Sequence, residues 1–128
     1  MIDRGNGTEG REDSGILIPL YEARRERTGI PVAFDRMELD QILHVYSRMV
    51  AAGEWRDYAI DHLPDRAVFS VFRRASEVPL FQIAKTPKLA RKQGAFAVIA
   101  AGGTILKRGH ELARVLGVFD RQLKLVEA

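Results

Sequence analysis

The apolar residues of this chain change their spacing twice, and that double change bounds the fold more tightly than any single motif. Leu39, Ile42, Leu43, Tyr46, Met49 and Val50 recur at i, i+3, i+4 and i+7, the repeat of one helix face. From Trp55 the repeat falls to two: Tyr58, Ile60 and His62 alternate with Asp57, Ala59 and Asp61, as the two faces of a strand require. Helical spacing returns at the end with Leu112, Val115, Leu116, Phe119, Leu123 and Val126. Helix, run of strands, helix is the order of an α+β protein, here an antiparallel sheet covered on one face by two amphipathic helices.

Local chemistry sharpens these elements. Asp35 is placed to cap the first helix, Glu38 stands three residues on as a capping box requires, and Phe34 can staple onto Leu39. Gly53 supplies the stop. "LPDR" at 63 to 66 reads as a turn, and "AVFSVFRR", "LFQIAKT", "AFAVIAA" and "TILKR" read as strands separated by "ASEVP", a basic loop and the pair Gly102-Gly103. A β-meander of about five antiparallel strands follows, and a strand at 31–35 would make a sixth.

At 128 residues the chain fits one domain of the usual ~100–150 residues. Residues 1–30 are rich in Gly and charge and are expected to be a mobile arm, with the domain occupying 31–128. The arm has one apolar island, Ile16, Leu17, Ile18, Leu20 and Tyr21 around Pro19, expected to dock on its own domain. Cys is absent, which excludes disulfides, thiolate metal sites and a Cys nucleophile. The longest apolar run, "AFAVIAA", is far short of the ~20 residues that span a bilayer, so no membrane role and a cytoplasmic home are expected.

The net charge of +3 conceals an asymmetry. Residues 1–65 carry eight Arg against thirteen acids, whereas 66–114 carry ten Lys and Arg against only Glu77 and Glu111. Such polarity suggests an anionic partner for the basic half, or contact between molecules; charged strands that merely stay in water are the competing explanation. Arg73, Arg74, Lys85, Lys88, Arg91, Lys92, Lys107 and Arg108 would gather at one edge if the strands pair as a meander, forming a surface that binds phosphates without sequence preference. Edge strands also carry Lys and Arg simply to discourage aggregation. Phe69, Phe72, Phe81 and Phe96 could stack on bases, yet they alternate as core residues do.

The tail "ELARVLGVFDRQLKLVEA" poses a sharper choice. Ala113 and Gly117 sit where a DNA-reading helix-turn-helix has its small residue and its turn glycine. Phe119 stands where a small polar cap is usual, and the chain stops barely two turns later. A terminal amphipathic helix closing the sheet is therefore the favoured reading.

No catalytic constellation emerges. His44 lies between Asp40 and Arg48 on a polar helix face, His110 follows Gly109 at a helix start, and His62 alternates onto the opposite strand face from Asp57 and Asp61, which works against a shared metal. Ser47, Ser70 and Ser76 have no evident His partner, and Gly102, Gly103 and Gly109 lack the motif of a phosphate cradle. No cofactor is implied.

Taken together, "FDRMELDQILHVYSRMVAAGEWRDYAID", "AVFSVFRRASEVPLFQIAKTPKLARKQGAFAV" and "ILKRGHELARVL" resemble a family of small alphaproteobacterial proteins known as domain of unknown function 2794, over about residues 32–118. The resemblance implies the domain extent and a bacterial cytosolic setting, and it brings no activity, cofactor or catalytic residue. The expected function is a non-enzymatic binding protein whose basic strands and loop meet an anionic partner, nucleic acid or an acidic protein surface. Second comes an interaction module or small subunit, possibly a homo-oligomer, using the acidic residues Glu38, Asp40, Glu54, Asp57 and Asp61 against the basic strands. Third comes a small-molecule binder or enzyme with a pocket between helix and sheet near Trp55 and Tyr58.

Overall fold

The computed structural model describes residues 29–74 and 78–127, the last three by backbone alone. The expected arm, apart from its last two residues, Ser76 and the side chain of Val126 lie outside the described residues.

Helix α1 (Arg36–Ala51) begins as its capping signature dictates. The Glu38 amide donates to Asp35 Oδ1 and the Asp35 amide to Glu38 Oε1, both at 2.8 Å, so two orphan amides are satisfied reciprocally. The helix ends where Gly53 turns back at φ +79°, its amide donating to the Val50 carbonyl. The fully buried stripe of α1 is Ile42, Val45 and Met49. Leu39, Leu43 and Tyr46 flank it half-buried, and Val50 is exposed, so the stripe is centred one position away from the sequence reading.

Five strands follow as a simple meander, β1 (Asp57–His62), β2 (Ala67–Phe72), β3 (Phe81–Lys85), β4 (Phe96–Ala100) and β5 (Ile105–Gly109), each antiparallel to the next. The stretch 31–35 adds no sixth strand. Val32 donates a backbone hydrogen bond to Leu63 at 2.9 Å, but Pro31 has no amide to continue a ladder and Asp35 is committed to capping α1. Helix α2 (Leu112–Glu127) closes the fold.

The register defines two faces. Phe69, Val71, Phe81, Ile83 and Val98 lie on one side and build the main core with Ile42, Val45 and Met49 of α1 and Leu112, Val115, Leu116, Phe119 and Leu123 of α2. Both helices therefore cover the same face. Trp55, just after α1, is 2% exposed and stands edge-on to Phe119 with ring centroids 4.9 Å apart. Phe81 meets the same Phe119 ring edge-on at 5.2 Å. Tyr46, Tyr58 and Phe69 continue this chain of rings toward β1.

Trp55→Ala should lower unfolding free energy by about 3–5 kcal/mol, because it empties a site enclosed from three elements. A urea melt followed by circular dichroism reads the shift in midpoint.

Candidate functional site

The segment joining β3 to β4, residues 86–95, is the longest described connection within the sheet, and backbone bonds hold it in shape. Pro87–Leu89 forms one turn of 3-10 helix, and the Leu89 carbonyl then accepts from the Lys92 and Gly94 amides at 3.0 and 2.9 Å. Thr86 and Ala95 close the neck at 2.7 Å. Gly94 fastens the loop to the end of β5. Its φ is +109°, and a Cβ there would lie 2.2 Å from the Gly109 carbonyl carbon. Arg108 adds a second fastening by donating from Nη1 to the Gly94 carbonyl at 3.2 Å.

This loop carries Lys88, Arg91 and Lys92 on exposed positions. Lys107 is exposed on neighbouring β5, and Arg108 is half-buried on the sheet face away from the helices, in register with Ala97. Four of the eight basic residues singled out in the sequence, Lys88, Arg91, Lys92 and Arg108, thus stand at one end of the sheet, and Lys107, in register with Val98, lies mid-strand on the helix-side face.

The other three are placed differently. Arg73 and Arg74 follow β2 at the opposite end, about 17 Å away by the rise of a six-residue strand. Arg73 reaches Glu54 at 3.7 Å. Lys85 turns toward the helices, where its ammonium lies 2.7 Å from Glu38 Oε1 and 3.0 Å from the Ala33 carbonyl oxygen, with the pair only 19% and 16% exposed. Lys85 therefore ties β3 to the start of α1. Its parity was the missed signal: in a strand, Phe81, Ile83 and Lys85 share one face.

The remaining candidates resolve into structural roles. Residues 112–127 form one uninterrupted helix that passes straight through Gly117, with Phe119 buried beneath it, so the tail is not a helix-turn-helix. The turn needs a break that this amphipathic stripe, anchored along its length on the sheet, does not make. Phe69 is core, Phe81 and Phe96 pack against the core, and Phe72 lies on the sheet's other face in register with Asp57. Ser70 is buried and accepts from Gln82 Nε2 at 3.1 Å. His62 pairs with Ala67 while Asp57 and Asp61 point to the opposite face. Among the described residues no three His, Asp or Glu side chains converge as a metal would need.

Near Trp55 and Tyr58, rings fill the space. The Tyr46 hydroxyl donates to the Arg56 carbonyl at 2.6 Å, and burial, then the nearby Asp57 and Tyr58, raises its pKa above the usual phenol value. An open groove of about 390 Å³ lies instead between the helices, lined by Asp40, Gln41, His44 and Arg48 of α1 and by Leu116 and Asp120 of α2. Arg48 bridges it to Asp120 at 2.7 Å, so the partner of Arg48 is across the helix pair rather than on its own face.

The model of the family described as "Protein of unknown function (DUF2794)" matches residues 32–116. The chain belongs to the DUF2794 family. The DUF2794 match takes in α1, the whole sheet, the fastened loop and the start of α2. No curated protein and no solved structure matches the chain. Among the described residues of this DUF2794 chain, no helix is long and apolar enough to cross a membrane.

Gly94→Ala should cost at least about 2 kcal/mol, since strain at positive φ adds to a backbone clash that no side chain can relieve. Thermal unfolding measures it; a Tm within a degree of the parent would mean that the loop is not fastened there.

Proposed function

We propose that this chain is a non-enzymatic, cytosolic binding protein that engages nucleic acid through its phosphates, using the loop 86–95 and the adjacent end of β5. One observation carries the reading: the loop is clamped to β5 through Gly94 and Arg108, so Lys88, Arg91 and Lys92 stand on a fixed frame, with Lys107 and Arg108 beside it on opposite faces of β5. A preset array of cations binds with less ordering cost than the same charges on a slack chain. Each phosphate neutralised releases condensed counterions, which makes affinity fall steeply with salt and leaves base sequence unread. Lys85 takes no part because its charge is spent on Glu38.

Reversing charge at Lys88, Arg91 and Lys92 together is expected to weaken binding of a labelled DNA duplex by roughly 10–100-fold at low salt and to reduce the log–log salt slope by about 2–3. Reversal at Arg73 and Arg74 should change neither. Fluorescence anisotropy between about 50 and 200 mM salt reads both quantities, and equal losses from the two variants would sink the assignment.

A second reading rests on the sheet's two edges. Outer strand β1 exposes Asp57 and Asp61, and outer strand β5 exposes Lys107 beside Ile105 and Leu106, which are 51% and 40% exposed. Opposite charge on two open edges supports association of copies edge to edge. In that case sedimentation velocity without nucleic acid should show a coefficient that rises with concentration, and Leu106→Lys should abolish the rise.

A further inference from the structure

An antiparallel meander with an odd number of strands starts and finishes in the same direction, so β1 and β5, the outer strands among the described residues, run parallel to each other. On the face away from the helices one cross-strand row runs Asp61, Val68, Ala84, Ala97, Arg108. A carboxylate thus ends the row at one edge and a guanidinium ends it at the other. The helix layer keeps the same order. Helix α1 sits toward β1, where the Tyr46 and Tyr58 rings meet edge-on at 5.0 Å, and α2 packs on β4 and β5. Val50 of α1 and Tyr58 of β1, 39% and 46% exposed, leave apolar surface at the β1 edge. At the β5 edge half-buried Val118 lies on the side of α2 turned away from the Ala113, Leu116 and Asp120 stripe that faces α1.

Resting on the reading that copies meet edge to edge, we infer that β5 of one copy pairs in parallel with β1 of the next, continuing the sheet with all helices on one side and leaving each copy a free edge for another. The rows then run on from copy to copy. Arg108 meets Asp61 of the next copy on the open face, while the Val118 flank of α2 faces the Val50 and Tyr58 flank of the next α1. The dimensions agree, since five strands repeat every ~24 Å and two helix widths take up ~20 Å, so the helix layer continues with the sheet. Other joins lose these matches. Two β1 edges would set the carboxylates of Asp57 and Asp61 against those of the copy, and two β5 edges would do the same with Lys107 and Arg108. Turning one copy over, so that β5 and β1 pair antiparallel, would put the helices on opposite sides and Arg108 and Asp61 on opposite faces.

The absence of native Cys allows a direct test in the full chain. Ala59 and Ile105 end the neighbouring row on the same face, both exposed, and their substitution leaves Asp61 and Arg108 in place. Chains carrying Ala59→Cys and Ile105→Cys separately, mixed and oxidised with diamide, should form the mixed disulfide dimer at least about 10-fold faster than either chain links to itself. One chain carrying both should give a ladder that passes the dimer. Adding Asp61→Lys to the Ala59→Cys chain should slow the mixed reaction by about 10-fold, because two cations then face each other. Self-linking of either chain as fast as the mixture means that like edges meet, and overturns the inference. A ladder that stops at the dimer, or a rate indifferent to Asp61→Lys, overturns it as well. If sedimentation shows association but the mixture does not cross-link, the inference fails and edge association of another geometry stands; a sedimentation coefficient flat with concentration ends both.

Discussion

Trp55 is the contact on which the rest of the fold leans. It lies beyond the Gly53 stop of α1, and its amide returns to the Met49 carbonyl at 3.4 Å, so the ring is fixed to the helix that precedes the sheet. Its ring then packs perpendicular to that of Phe119 in α2 and approaches Phe81 in β3 at 6.3 Å. Three elements distant in sequence are thereby registered on one side chain. A smaller residue would let the helices slide over the sheet, because the flanking contacts are between branched aliphatics that tolerate many offsets. Edge-to-face rings do not, since their attraction depends on angle as well as distance.

An odd number of strands has a consequence for where charges meet. With α1 starting beside the end of β3, five antiparallel passes return the chain to that same end before α2 begins. The two helices consequently run parallel, and Arg48, late in α1, meets Asp120, late in the same sense along α2, across their groove. The β1–β2 turn and the β3–β4 loop open at this end too. Asp61 and Asp65 occupy its β1 side, the Asp35–Glu38 box sits at its middle where Glu38 meets Lys85 of β3, and Lys88, Arg91, Lys92 and Arg108 lie toward its β5 side. The charge asymmetry along the sequence thus becomes a charge asymmetry across the sheet, because a meander lays sequence order out as spatial order.

This regularity explains what could be read beforehand and what could not. Local features were legible: the Asp35–Glu38 box, the Gly53 stop, the Leu63–Arg66 turn and the alternation of β1 depend only on neighbours in sequence. The family match over 32–116 agrees with the resemblance those stretches carry. What failed needed distance. Lys85 looks like one more loop cation until Glu38, remote in sequence, is seen beneath it. Arg73 and Arg74 belong with the basic loop by composition and lie a strand's length from it by topology. Gly117 satisfies the spacing of a turn, but Phe119 is worth more buried against Trp55 and Phe81 than any break in the helix would return.

The two faces of the sheet differ in how evenly their side chains fill them. The helix side carries Phe69, Val71, Phe81 and Ile83, bulky enough to fill the layer between a sheet and a helix axis. The other side mixes the short side chains of Ala59, Ser70, Ala84 and Ala97 with Val68, Phe72, Gln82 and Ile99, so its floor is uneven. Gln82 Nε2 donates to Ser70 Oγ there, a cross-strand hydrogen bond between β3 and β2 that partners the buried hydroxyl. The two helices thus close over the face on which Phe69, Val71, Phe81 and Ile83 stand in neighbouring register and fill the layer evenly.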